Sequence, residues 1–99
     1  MPNCTDQTTV DTGKAAELVL AAVADHFQTH NPTGALETHI LLACIGAKAY
    51  DLADRSRNGD GRGMSKAAFD RAPEIPEGST RGAYAKLLRE TLTASRGQA

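Results

Sequence analysis

The sequence predicts an all-α fold: a small helical bundle of three main helices at about 12–30, 34–57 and 79–95, with a short helix near 65–71. Apolar residues recur at three- and four-residue spacing, and no stretch alternates as a half-buried strand would. Each periodic segment also stops at a proline or glycine break, at Asn31-Pro32, at Asn58 to Gly63 and at Pro73 and Pro76. No internal repeat is present.

Residues 1–10 are polar and rich in Thr, and they read as a disordered tail ahead of a single helical domain at 11–99. Asp11 or Thr12 is placed to cap the first helix, which the Asn31-Pro32 pair ends after His30. At a hundred degrees per residue, Val19, Leu20, Val23 and Phe27 share one side of it. Lys14, Glu17, Asp25 and Gln28 lie opposite, so this is an amphipathic surface helix.

The second helix, from Thr33 or Gly34 to about Arg57, differs in kind. Leu36, Ile40 and Tyr50 point one way and Leu41, Ile45 and Leu52 nearly the other. A helix apolar over most of its circumference is buried on more than one side, which makes it the expected centre of the domain. The Gly-rich stretch 58–63 reads as a flexible loop, and Ser65 to Arg71 as a short helix stopped by Pro73. Ser79 or Thr80 then starts a last helix whose stripe is Tyr84, Leu87, Leu88 and Leu92.

Hydrophobic residues make up 40% of the 99, but seventeen of them are alanines, with two Phe, two Tyr and no Trp. So few bulky side chains require close helix packing or a second copy of the chain. A homodimer is therefore expected, with Leu41, Ile45 and Leu52 at its interface. The net charge of −1 conceals a division along the chain. Residues 1–54 hold two bases and seven acids, giving −5, and residues 55–99 hold nine bases and five acids, giving +4. Lys86, Arg89 and Arg96 on the last helix are the expected surface for an acidic partner.

All three histidines fall around the first turn. His26 and His30 are one helical turn apart, and a hairpin could bring His39 to the same end. With Glu37 or Cys44 as a fourth ligand, His26, His30 and His39 make a candidate zinc site, because three or four imidazole, thiolate or carboxylate ligands suit that ion. The same histidines could instead form a pH switch, or be boundary residues bonded to carbonyls and water. Apart from zinc, no cofactor is implied.

The run Ser56-Arg57-Asn58-Gly59-Asp60-Gly61, followed by Met64-Ser65 and Phe69, resembles a calcium loop of the EF-hand or dockerin type. Ser56 stands where the first carboxylate belongs and Ala67 where the bidentate one belongs, so the stretch reads better as an exposed turn.

Function is expected to lie in docking. There is no nucleophile motif and no phosphate-binding loop, and an enzyme is not expected. The favoured reading is a small protein-interaction module (adaptor, regulator or inhibitor) that binds a protein partner as a homodimer. The alternatives are a nucleic-acid-binding regulator using the basic half and the zinc-binding helical protein. Two cysteines, no secretory signal and no apolar run approaching about twenty residues point to the cytoplasm and away from a membrane.

Overall fold

The computed structural model describes residues 3–55 and 59–97, with side chains described over 14–55 and 59–94. The fold is all-α. Among the described residues there are four helices, α1 (Asn3–Thr29), α2 (Thr38–Asp54), α3 (Gly61–Arg71) and α4 (Arg81–Gly97), and no strand.

Helix α1 begins at Asn3, well ahead of the expected start at Asp11 or Thr12, so the backbone of 3–10 is helical where a disordered tail was expected. No proline interrupts the sequence from Asn3 to Asn31. Extending an existing helix by one residue costs far less than nucleating one. At the other end Asn31 takes φ 52°, the left-handed conformation that closes many helices. Gly34 completes that turn, its N–H donating to the Asn31 carbonyl at 3.0 Å. A Cβ at Gly34 would overlap the Asn31 side-chain amide, so a larger residue here requires that amide to swing aside.

Helix α2 starts at Thr38, later than the expected Thr33 or Gly34. The intervening chain is used otherwise. Ala35 forms an antiparallel bridge with Thr80, and the Leu36 N–H donates to the Ser79 carbonyl at 3.2 Å. In return Arg81 N–H donates to the Gly34 carbonyl at 2.9 Å and Gly82 N–H to the Pro32 carbonyl at 2.8 Å. The first N–H groups of a helix have no partner inside it, so residues 32–34 satisfy two of those of α4. Thr80 satisfies a third, its Oγ1 accepting from Ala83 N–H at 3.2 Å.

Helix α3 starts at Gly61, ahead of the expected Ser65, because Asp60 caps it by accepting from Gly63 N–H at 3.0 Å. It ends where Ala72, held extended at φ −69° and ψ 137°, precedes Pro73.

The centre of the bundle is α1, not α2. Among the described residues it packs against α2, α3 and α4, whereas α2 meets only α1 and α3, and α4 meets only α1. Its buried residues include Ala15, Ala16, Val19, Leu20, Val23, Ala24 and Phe27. On α2 a single stripe, Leu41, Ile45 and Ala49, is buried, while Leu42 and Tyr50 remain 44% and 54% exposed. The expectation of a central second helix arose from counting apolar residues around its circumference. Alanine made the difference: small side chains let α1 approach three neighbours closely, and Ala16, Ala24, Ala49, Ala68 and Ala85 are all fully buried.

Helix α4 contributes Tyr84, Ala85, Leu88 and Leu92 to the same core. The Tyr84 hydroxyl donates to the Pro73 carbonyl at 2.6 Å. Burial pushes that phenol up to about 12. Since α3 and α4 do not pack on one another, this bond ties the exit of α3 to α4.

Candidate functional site

The histidines separate into a pair and a single residue. At the C-terminal end of α1, the rings of His26 and of His30, the residue that follows the helix, stack with centroids 4.5 Å apart and planes inclined by 18°. His30 Nδ1 lies 2.9 Å from the Thr29 hydroxyl. His39 stands on the first turn of α2, exposed, with Nδ1 3.4 Å from a Glu37 carboxylate oxygen. The extended segment before α2 sets its rotation, and the hairpin does not bring it to the pair. Among the described residues no group of three or more His, Cys, Asp or Glu could hold a metal ion. The expected zinc set of His26, His30 and His39, with Glu37 or Cys44, is thereby corrected to a stacked pair.

Positive charge gathers around that pair. His26, half-buried, is held below the ordinary imidazole value of 6.5, first by burial, then by the charges of Lys48, His30 and Arg81. Lys48 comes from α2 and Arg81 from the start of α4. Burial pushes the half-buried Cys44 thiol up, opposed by Lys48 one turn further along α2.

The expected partner surface at Lys86, Arg89 and Arg96 is also redrawn. Arg89 is turned onto α1, where Nη2 and Nε donate to Gln28 Oε1 at 2.8 and 3.1 Å and the guanidinium pairs with Asp25. Lys86 is exposed, and the side chain of Arg96 lies outside the described residues. Arg71 of α3 likewise meets Glu17 of α1 at 3.4 Å, and Arg81 Nε donates to the Ala35 carbonyl at 3.2 Å. Part of the charge division therefore works inside the molecule: basic groups of the second half dock onto the first.

Of the expected dimer interface, Leu41 and Ile45 are 2% and 0% exposed within the single chain, covered by α1 and α3. Leu52 is half-buried. It lies instead in a cleft of about 180 Å³ between α1 and α2 with an apolar floor of Leu18, Val19, Ala22 and Leu52. Lys48, Asp51 and Arg55 form its rim, and Arg55 pairs with Asp51 at 2.9 Å. Leu18 is half exposed, at 50%. The sequence held a signal for it: Leu18 follows Lys14 by one turn and precedes Asp25 by two, so a bulky apolar residue stands on the polar side of an amphipathic helix.

In the glycine-rich stretch, Ser56, Arg57 and Asn58 lie outside the described residues, and Asp60 is engaged as the cap of α3. No helix among the described residues is long and apolar enough to cross a membrane. No protein-family profile, curated protein or solved structure matches the chain.

Proposed function

We propose that the chain is a small protein-interaction module, an adaptor, regulator or inhibitor that acts by docking, and that it does so as a homodimer through the cleft between α1 and α2. The half-exposed Leu18 over the floor of Val19, Ala22 and Leu52 carries this reading. With half of its surface still in water, Leu18 forgoes about half of the 1.5–3 kcal/mol that full burial of such a side chain provides. An apolar centre ringed by charge is the usual anatomy of a protein interface. The rim holds both signs, Lys48 and Arg55 beside Asp51, so the patch can meet a copy of itself across a two-fold axis. The acidic-partner surface at Lys86, Arg89 and Arg96 supports the reading less, because Arg89 is spent on α1.

The test is Leu18→Asp. An exposed substitution of this kind changes stability by about 0.5 kcal/mol or less, so circular dichroism and the melting curve should stay close to those of the wild type. Light scattering should show the wild-type chain at twice its monomer mass at micromolar concentration, and the variant as a monomer. A wild-type chain that stays a compact monomer at high micromolar concentration overturns the homodimer. A partner that co-purifies equally with both proteins overturns the cleft as the docking surface.

A further inference from the structure

His30 follows the last residue of α1 but keeps its register: its N–H donates to the His26 carbonyl at 2.9 Å, the bond that continues a helical ladder. The two imidazoles therefore stand one turn apart on a single face, stacked with centroids 4.5 Å apart. The hydrogen bonds around His30 also fix its proton. Nδ1 lies 3.3 Å from the His26 carbonyl oxygen and 2.9 Å from the Thr29 hydroxyl. That hydroxyl gives its own hydrogen to the Asp25 carbonyl at 2.9 Å. Both neighbours of Nδ1 are then acceptors, so Nδ1 carries the hydrogen and the lone pair of the neutral ring sits on Nε2. A ring N–H turned to a backbone carbonyl is the outer support found behind metal-bound imidazoles, because it sets the tautomer and holds the ring. His26 is free to complement it. No hydrogen bond among the described residues uses a His26 ring nitrogen, so that ring can turn without losing one.

We infer that His26 and His30 chelate one divalent ion of the nickel or copper type, His30 through Nε2. Two imidazole nitrogens in adjacent positions of one ion, each at about 2.0–2.1 Å, lie about 3 Å apart. Rings 4.5 Å apart reach that spacing when His26 turns its plane. The class of ion follows from the size of the ligand set. Among the described residues no third His, Cys, Asp or Glu joins the pair, so water fills the other positions. A structural Zn²⁺ takes four protein ligands. Two adjacent imidazoles with water instead suit the tetragonal preference of Cu²⁺ and Ni²⁺, and Cu²⁺ holds such ligands most tightly of the divalent series. The chelate ties residue 26 to residue 30 and closes the last turn ahead of the Pro32 and Gly34 carbonyls, which accept from Gly82 and Arg81 N–H. Binding at the end of α1 thereby braces the start of α4. Neither histidine lines the cleft around Leu18, so the site stands or falls independently of the homodimer.

The experiment uses the full chain without a polyhistidine tag and Ni²⁺ alone as the probe, since Ni²⁺ does not oxidise the free thiol of Cys44. At pH 7.5, where imidazoles are mostly neutral, calorimetry should find one ion per chain at micromolar affinity. In proton NMR the C2–H signals of His26 and His30 should broaden at substoichiometric Ni²⁺, while that of His39, paired with Glu37, stays sharp. His26→Gln and His30→Gln should each weaken binding by about tenfold or more, because the second ligand of a chelate acts at high effective concentration. His39→Gln should leave it unchanged. Saturating Ni²⁺ should raise the Tm of the wild type and of Leu18→Asp and hardly move that of either His26→Gln or His30→Gln, since the chelate exists only while residues 26–30 are helical. Tighter binding of Zn²⁺ than of Ni²⁺ overturns the class of ion. His39 broadening in parallel, full affinity in His26→Gln or His30→Gln, or no heat of binding up to millimolar Ni²⁺ overturns the site.

Discussion

Replacing Tyr84 with Phe removes one oxygen from the middle of the fold and little else. The ring is fully buried, and its hydroxyl donates to the Pro73 carbonyl at 2.6 Å. Phe keeps the shape, so no cavity larger than the lost oxygen opens. What disappears is one hydrogen bond, worth about 0.5–1.5 kcal/mol net, together with some desolvation cost for a carbonyl left without that donor. The sum is about 1–2 kcal/mol. For a domain of this size that corresponds to a fall in Tm of roughly 4–15 °C. The substitution also has a pH signature. The folded phenol lies at about 12 and the unfolded one near 10, so folding favours the neutral form. The stability that Tyr84 contributes is complete below about pH 10 and is lost as pH rises through about 12. Urea denaturation followed by circular dichroism should show the wild type more stable at pH 7.5, and the gap should narrow as pH climbs above 10. Equal unfolding midpoints at pH 7.5, or a gap indifferent to alkali, would refute the role given to this hydroxyl.

Ile45→Asp should unfold the monomer, with lost helical circular dichroism even at high dilution, because it puts an unpaired charge at a fully buried position; a folded, dissociated monomer would restore Ile45 to an interface. Arg89→Met should cost about 0.5–1 kcal/mol of stability, the range for a partly exposed ion pair with added hydrogen bonds to Gln28. That loss should shrink in high salt, and an Arg89→Met protein as stable as the wild type in low salt would show the clamp to be idle. For His26 the folded state holds the imidazole below its ordinary value, so folding favours the neutral ring. The associated stability is present above about pH 6.5 and is lost as pH falls through the lower folded value. Urea midpoints at pH 7.5 and pH 5 should differ less in His26→Gln than in the wild type, and an unchanged difference would remove His26 from the pH response.

By itself the sequence determined the class of fold, the ends of α1 and α3 and the start of α4. Periodicity, the Asn31-Pro32 and Pro73 breaks and the side chain of Thr80 are local signals, and local signals act through backbone geometry within a turn or two. It also held the apolar stripes of α1 and α4, whose members Val19, Val23, Phe27, Tyr84 and Leu88 are buried as their spacing requires. Tertiary structure decided the rest, because it turned on partners distant along the chain. Residues 34–37 have the composition of a helix start, yet Gly34 and Leu36 bond to Arg81 and Ser79, some forty residues away. Whether α1 or α2 stood at the centre depended on which alanines met, and an alanine stripe has no hydropathy contrast to reveal it. The same holds for the candidate sites. The four-residue spacing of His26 and His30 was legible. The withdrawal of Arg89 onto Asp25 and the exclusion of His39 followed only once helix rotations were fixed by packing. A side chain's neighbours along the chain set where it can point, and the packing of the helices sets what it meets there.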